Sequence, residues 1–234
     1  MFYNTEIWCI CLESRDDRYK IAVDEFKKHN LSVKFHRPKK NSNGIIGCYL
    51  SHLFCFQESK KNNKHALVFE DDVKFNYSIN INLLKTINKF ILTNNHWDIL
   101  RLGTIITYLQ KKYNNYIWQC KSHSSHAVLY NKKIKLPPVI HYSIDQFLFN
   151  SKLIEYAILP NLCIQRASIS DIDWGDNMVQ SILENKYIFE HIQNINNKQL
   201  TCLKNMPIWV QKYCGVWYLL SKIGNVLQSI KSMF

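Results

Sequence analysis

Glycine and proline are scarce in this chain: 234 residues contain only 6 glycines and 5 prolines. That scarcity excludes a collagenous repeat and a linker-rich, low-complexity organisation. No stretch of about 18 uncharged apolar residues occurs, so a membrane-spanning helix is not expected. The opening MFYNTEIWCICLESRDDRYK lacks a basic segment ahead of its apolar run and carries Glu6 and Glu13, so a secretory signal is not expected either. Cysteine is present eight times but never as a C-x-x-C pair, so a zinc site is not expected. These cysteines are expected to be reduced core residues of a cytoplasmic protein. Acids are outnumbered, 18 against 30 Lys and Arg, and residues 191–234 contain none at all.

What remains is a folding composition. With 47% hydrophobic and 13% aromatic residues the chain can bury one sizeable core. The formal net charge of +12 points to an anionic partner such as a nucleotide phosphate, a membrane surface or a nucleic acid. The basic residues are dispersed and no nucleic-acid motif accompanies them, so no nucleic-acid partner is expected.

Apolar patterning alternates between strand and helix. TEIWCICL (5–12) reads as a strand ending in the polar loop ESRDDR, and Ile21, Ala22 and Phe26 recur at helical spacing over 19–30. SVKFHR reads as a second strand. A Gly-rich entry then leads into a helix with Leu50, Leu53, Phe54 and Phe56 available for burial. HALVF (65–69) is a buried-strand candidate, followed by a helix over 81–93 and a strand over 97–102. Shorter strands and loops, including HAVLYN, fill 103–142. A helix over 143–153 and a strand over 156–160 complete the pattern. This is an α/β arrangement, in which ligands sit at the carboxyl ends of strands.

Beyond residue 190 the composition shifts, suggesting a main domain over 1–190 and an appended segment over 191–234. Trp209, Tyr213, Val216, Trp217, Leu220, Ile223, Leu227 and Ile230 follow helical spacing, interleaved with Lys212, Lys222 and Lys231. Two readings are open: a basic amphipathic helix, with 204–234 contacting an anionic membrane surface peripherally, or a C-terminal helix packed on the core with its lysines wet.

Charge is most concentrated in HALVFEDDVKF (65–75), where Glu70, Asp71 and Asp72 end a strand. A carboxylate there, beside a strand–helix crevice, can hold a hard cation against a phosphate, since Mg²⁺ and Mn²⁺ favour oxygen ligands and often bind one or two carboxylates plus substrate phosphates. Glu70 and Asp72, at i and i+2, share a face if strand geometry persists. A solvated acidic turn is the competing reading.

The surrounding motifs bear on that choice. GIIGCYLSH followed by HALVFEDDV resembles the G-x-x-G-C-x-x-S-H … A-L-x-x-E-D-D-V signature of glycosyltransferase family 25, through Gly44, Gly47, Cys48, Ser51, His52, Ala66, Leu67, Glu70, Asp71, Asp72 and Val73. CICLESRDDR resembles the family's I-N-L-x-x-R-x-D-R through Ile10, Leu12, Arg15, Asp17 and Arg18, with Cys11 in place of Asn and Ser14 in place of a common Arg. WDILRLG, SIDQFLF and AILPNLCIQ resemble later segments, supplying Asp145, Pro160 and Gln165. The similarity spans roughly residues 5–166, in the family's order.

The resemblance implies a GT-A-like fold, one mixed sheet flanked by helices. It also implies an inverting hexosyltransferase that uses a UDP-sugar, galactose first and glucose next, with Mn²⁺ or Mg²⁺ and a glycan or glycolipid acceptor. Asp72 is then the metal ligand and Glu70 the ribose- or metal-facing acid, while Asp71 organises the loop. Arg15 and Arg18 meet the diphosphate, and Leu12, Ser51 and His52 fall on the donor side. Asp145 becomes the general base; an acid favoured by a helix dipole is its alternative reading. His52 equally reads as a buried structural histidine. Asp98 is expected to cap or orient a strand, His191 to be a further metal ligand, and Asp171, Asp173, Trp174 and Asp176 to form an acceptor-side or solvated loop. Two other function classes stay in view. A degenerate family member would bind sugar nucleotides without turnover. A nucleic-acid binder would lose affinity steeply with salt and would not need the acids.

Overall fold

The computed structural model describes residues 1–140 and 142–166. β1 (Thr5–Ile10), α1 (Asp16–Lys28) and β2 (Lys34–His36) form a right-at-the-start β-α-β unit, with β2 parallel to β1. α2 (Gly44–Lys61) returns the chain to β3 (His65–Glu70), which lies parallel to β1 on its other side. After β4 (Val73–Phe75) and α3 (Ile81–Thr93) come β5 (Ile99–Arg101), the hairpin of β6 (Ile105–Lys112) and β7 (Ile117–His123), β8 (Ala127–Tyr130), α4 (Ile144–Asn150), β9 (Glu155–Ile158) and β10 (Cys163–Gln165). The main sheet has eight strands in the order β2-β1-β3-β8-β5-β9-β7-β6, and β4 pairs with β10 as a separate ribbon. β8 runs antiparallel between β3 and β5, so the sheet is mixed.

The continuous apolar run of β3 has a direct cause. Successive side chains alternate faces. Ala66 and Val68 join Tyr49, Leu53 and Phe56 of α2 and Ile144 and Leu148 of α4. Leu67 and Phe69 join Ala22 and Phe26 of α1 and Leu83, Ile87 and Phe90 of α3. A strand covered by helices on both faces has no wet side and reads as unbroken apolar sequence. Helix starts follow local chemistry: Asn43, Asn80 and Ser143 each accept a hydrogen bond from the amide three residues on, capping α2, α3 and α4. α1 lacks a side-chain cap and instead carries Asp16 and Asp17 in its first turn, where negative charge meets the positive helix end.

Several expectations need correction. Leu50 and Phe54 are exposed, because α2 packs only through the face carrying Tyr49, Leu53 and Phe56; Phe54 instead stacks on His36 of the edge strand at 4.2 Å. The helix expected over 143–153 stops at Asn150, where the Ser151 hydroxyl donates to the Leu148 carbonyl and the backbone turns extended. Residues 103–142 contain the long β6–β7 hairpin. Register shifts along it break the two-residue alternation that would have revealed it. Its turn is fixed by the Asn114 side chain, which accepts from the amides of Tyr116 and Ile117. The boundary near residue 190, the expected helix over 204–234, and His191, Asp171, Asp173, Trp174 and Asp176 lie outside the described residues. No helix of the described residues is long and apolar enough to cross a membrane.

One topological fact positions the site. β1 and β3 are adjacent and parallel, with Ile10 opposite Glu70 in register, so the loops leaving both strands open at the same end of the sheet.

Candidate active site

The three acids leave β3 in different directions. Strand alternation carries Glu70 to the α2 side, where its Oε1 accepts from the Ser125 hydroxyl at 2.9 Å and lies 3.5 Å from His52 Nε2. Asp71 turns to the α1 side and pairs with Arg18 at 2.9 Å, both side chains being largely buried. Asp72 is buried; its Oδ2 accepts from Gln165 Nε2 at 2.8 Å, and its carbonyl accepts the Arg166 amide at 2.7 Å. Asp72 Oδ1 is buried with no hydrogen-bond partner among the described residues. Cys11, beside this group, is buried, and burial followed by the Asp71 charge pushes its thiol up to about 12.

Burial and mutual repulsion divide the acids electrostatically. Asp72 is pushed up to about 8, first by burial and then by the charges of Glu70 and Asp71. Burial also pushes Glu70 up, but His52 and the Ser125 hydroxyl outweigh it and hold Glu70 below its ordinary value. Burial raises Asp71, with Arg18 pulling the other way. Without a cation, Asp72 is the member of the trio that burial and its neighbours' charge push furthest toward the protonated form.

A buried pair supports the facing wall. Arg101 and Glu155 are fully enclosed, with Nε donating to Oε1 at 2.9 Å, and Arg101 Nη1 donates to the Ser124 carbonyl. Ser124 adopts a positive φ of 81°, so this anchor holds a strained turn whose next residue, Ser125, reaches Glu70. Gly103 of WDILRLG is required nearby: a Cβ there would collide with the Cys163 carbonyl and His126 Nε2. Replacing Arg101 by Met leaves Glu155 as an uncompensated buried charge. The expected loss is roughly 3–5 kcal/mol of unfolding free energy, read from urea denaturation; a loss within experimental error would mean that the pair is not structural.

Asp145 enters from the first turn of α4, and its Oδ1 is buried with no hydrogen-bond partner among the described residues. Burial pushes this carboxyl up to about 6, with Arg101 lowering and Glu70 raising it.

One cleft is lined by Leu12, Arg18, Ser51, Glu70, Asp71, Asp72 and Asp145, together with Cys48, Ser125, His126 and Gln165. His52 is fully buried beneath it, bonded through Nδ1 to the Tyr130 hydroxyl at 3.0 Å. Arg15 is not among the lining residues; it is held in a two-point pair with Asp17. Asp98 orients a strand as expected, its Oδ2 accepting the Ile154 amide at 2.7 Å. Lys39, Lys40 and Arg166 also line the cleft, and sequence reasoning did not single them out. A signal did exist for the two lysines, which immediately precede the Gly-rich helix entry. Gly47 lets their loop close on α2, since a Cβ there would sit 2.7 Å from Asn41 Cβ. Arg166 and its partner Glu25, 2.7 Å apart, carried no local pattern.

The residues present fit a hard divalent cation. The cleft holds the carboxylates of Glu70, Asp71, Asp72 and Asp145, and one oxygen of Asp72 is buried without a hydrogen-bond partner among the described residues. Glu70 and Asp72 would hold the ion, and Arg18, Lys39, Lys40 and Arg166 line the same cleft with positive charge.

A mixed α/β sheet flanked by helices, with an acid-floored, base-rimmed cleft at its strand ends, defines the class of protein. The chain belongs to glycosyltransferase family 25, described as an LPS biosynthesis protein family, whose pattern matches residues 34–222. No curated protein matches the chain. Among solved structures, the crystal structure of A197 from STIV is similar with a TM-score of 0.45 and 12% identity, covering 74% of this chain and 100% of that one.

Proposed function

We propose that this protein is an inverting, metal-dependent hexosyltransferase of GT-A-like fold, moving galactose, or else glucose, from a UDP-sugar to a hydroxyl of a glycan or glycolipid. The observation that carries the reading is the buried Asp72 oxygen, unpartnered among the described residues, within a cleft that also holds Arg18, Lys39, Lys40 and Arg166. An acid floor alone would repel a diphosphate, and a basic rim alone would need no acids. Glu70 and Asp72 would hold a Mn²⁺ or Mg²⁺, which would supply positive charge to offset that gathering on the departing diphosphate.

The chain's own residues carry the remaining steps. Arg18, held by Asp71, lines the cleft and brings its positive charge to the donor diphosphate. Ser125 and His52 hold Glu70 in one orientation. Asp145 takes the proton of the acceptor hydroxyl as that oxygen attacks the anomeric carbon, from the face opposite the leaving UDP. Because burial sets Asp145 to about 6, the base form dominates above that pH. The rate with saturating donor is expected to rise as pH passes upward through about 6. A pH–kcat profile checks this; a flat profile from pH 5 to 8 would remove Asp145 from the role.

The basic segment 204–234 is proposed to bring the enzyme to an anionic membrane where a glycolipid acceptor resides. Flotation with anionic liposomes is expected for the full chain and not for a chain ending at residue 200; equal flotation of both refutes it.

The reading as a whole is tested by offering a panel of UDP-hexoses with Mn²⁺ and a mixture of glycan acceptors. UDP release that depends on both donor identity and Mn²⁺ supports it. No release with any donor, from protein shown to be folded, contradicts it.

A further inference from the structure

Cys48 and His52 stand one turn apart on α2 and face Glu70 at the end of β3. The Cys48 thiol, a His52 ring nitrogen and a Glu70 oxygen all lie within 4.8 Å of one another. His52 is 0% exposed, and its Nε2, 3.5 Å from Glu70 Oε1, is buried without a hydrogen-bond partner among the described residues. Its other ring nitrogen is bound to the buried Tyr130 hydroxyl at 3.0 Å. Either atom of the Tyr130 contact can be the donor; an ion would select the tautomer in which Nδ1–H is given to Tyr130 and Nε2 presents its lone pair, the arrangement found behind metal-binding imidazoles. Cys48 lines the cleft, so an ion entering from the cleft reaches this set directly.

We propose that Cys48, His52 and Glu70 form a second cation site, for a borderline-soft divalent ion of the zinc class, on the α2 side of the cleft. The donor set decides the metal. One sulfur, one imidazole nitrogen and one carboxylate oxygen suit Zn²⁺ or Co²⁺ and not Mg²⁺. Three protein ligands leave one position open toward the cleft, as in zinc sites that keep a water or a substrate atom. Zinc bonds of roughly 2.3 Å to sulfur and 2.0–2.1 Å to nitrogen place two ligands about 3.5 Å apart. The set must therefore contract by about 1 Å around the ion, a movement open to the partly exposed Cys48 and Glu70 side chains. Binding exchanges the S–H bond for a sulfur–metal bond and releases the proton to solvent. The absence of a C-x-x-C pair does not bear on such a site, because its ligands come from one helix face and a neighbouring strand.

Glu70 is common to this site and to the hard-cation site proposed above. Zinc is therefore expected to inhibit transfer by taking Glu70 away, a consequence that rests on the transferase reading. The site itself does not, and its test uses no activity.

The test is titration of the intact protein with Co²⁺ alone, followed in the near ultraviolet for thiolate-to-cobalt charge transfer, with Zn²⁺ then added as competitor. The band is expected in the wild type and in Asp72→Asn, to be abolished in Cys48→Ser, and to vanish on adding Zn²⁺. Tyr130→Phe is expected to weaken Co²⁺ binding about 10- to 100-fold through the loss of the Nδ1 contact. No band in folded wild-type protein, or a band that survives in Cys48→Ser, overturns the proposal. Should Cys48→Ser not fold, zinc-edge X-ray absorption on the wild type replaces it. A shell containing one sulfur and at least one imidazole supports the site, and a shell of oxygen and nitrogen alone overturns it.

Discussion

Replacing Asp72 by Asn is expected to lower sugar transfer about 10³-fold, roughly 4 kcal/mol of transition-state stabilisation, while making the cation-free protein more stable. The two effects share one cause. Asp72 is buried beside Glu70 and Asp71, and its carboxyl is pushed up to about 8. A carboxyl raised above its unfolded value binds its proton more tightly in the folded state. Its ionisation therefore erodes stability progressively as pH rises from the ordinary carboxylate range through about 8. Asn removes that burden but offers a cation no charge. In EDTA the melting temperature of the wild type is expected to fall between pH 6 and 8.5 more steeply than that of Asp72→Asn, and Mn²⁺ is expected to raise the wild-type value most at the alkaline end. Identical pH slopes for the two proteins would show that Asp72 is not the strained member of the cluster.

Replacing Asp145 by Asn is expected to lower kcat by about 10²- to 10⁴-fold, the range of general-base catalysis, with donor binding nearly unchanged. Asp145 occupies the first turn of α4, and one of its oxygens is buried and unpartnered among the described residues. In the proposed role as base it would act on the acceptor and leave the diphosphate contacts intact. The informative readout is the split: a large fall in kcat with the UDP dissociation constant held, and loss of the acid limb near pH 6. A fall in UDP affinity matching the fall in rate would instead place Asp145 on the donor side. An unchanged rate would return it to a helix-terminal acid whose role is structural.

How much of this was legible in the sequence depends on how local each signal is. β3 was legible because burial on both faces writes an uninterrupted apolar run, and α3 because its apolar face repeats regularly. The acidic trio was legible because its three members are contiguous; the shared face expected for Glu70 and Asp72 was not, because β3 ends at Glu70 and Asp71 and Asp72 lie in the turn beyond it. The β6–β7 hairpin was not, since register shifts erase alternation. Arg15 matched its motif, yet the structure ties it to Asp17, a neighbour whose competition a motif does not express. Arg101, Glu155 and Arg166 escaped notice because their partners lie 54 and 141 positions away along the chain. No local pattern encodes a contact of that separation. The outward stripe of Leu50 and Phe54 shows the converse limit: helical spacing announces an apolar face without saying whether anything covers it.

The central claim is that the acids and bases of this cleft together hold a nucleoside diphosphate through a divalent cation. Titration calorimetry of UDP into the intact protein, in Mn²⁺ and again in EDTA, tests it most directly. Binding is expected in Mn²⁺, lost in EDTA and lost equally in Asp72→Asn. UDP that fails to bind folded protein in Mn²⁺, or binds as tightly in EDTA, would contradict it.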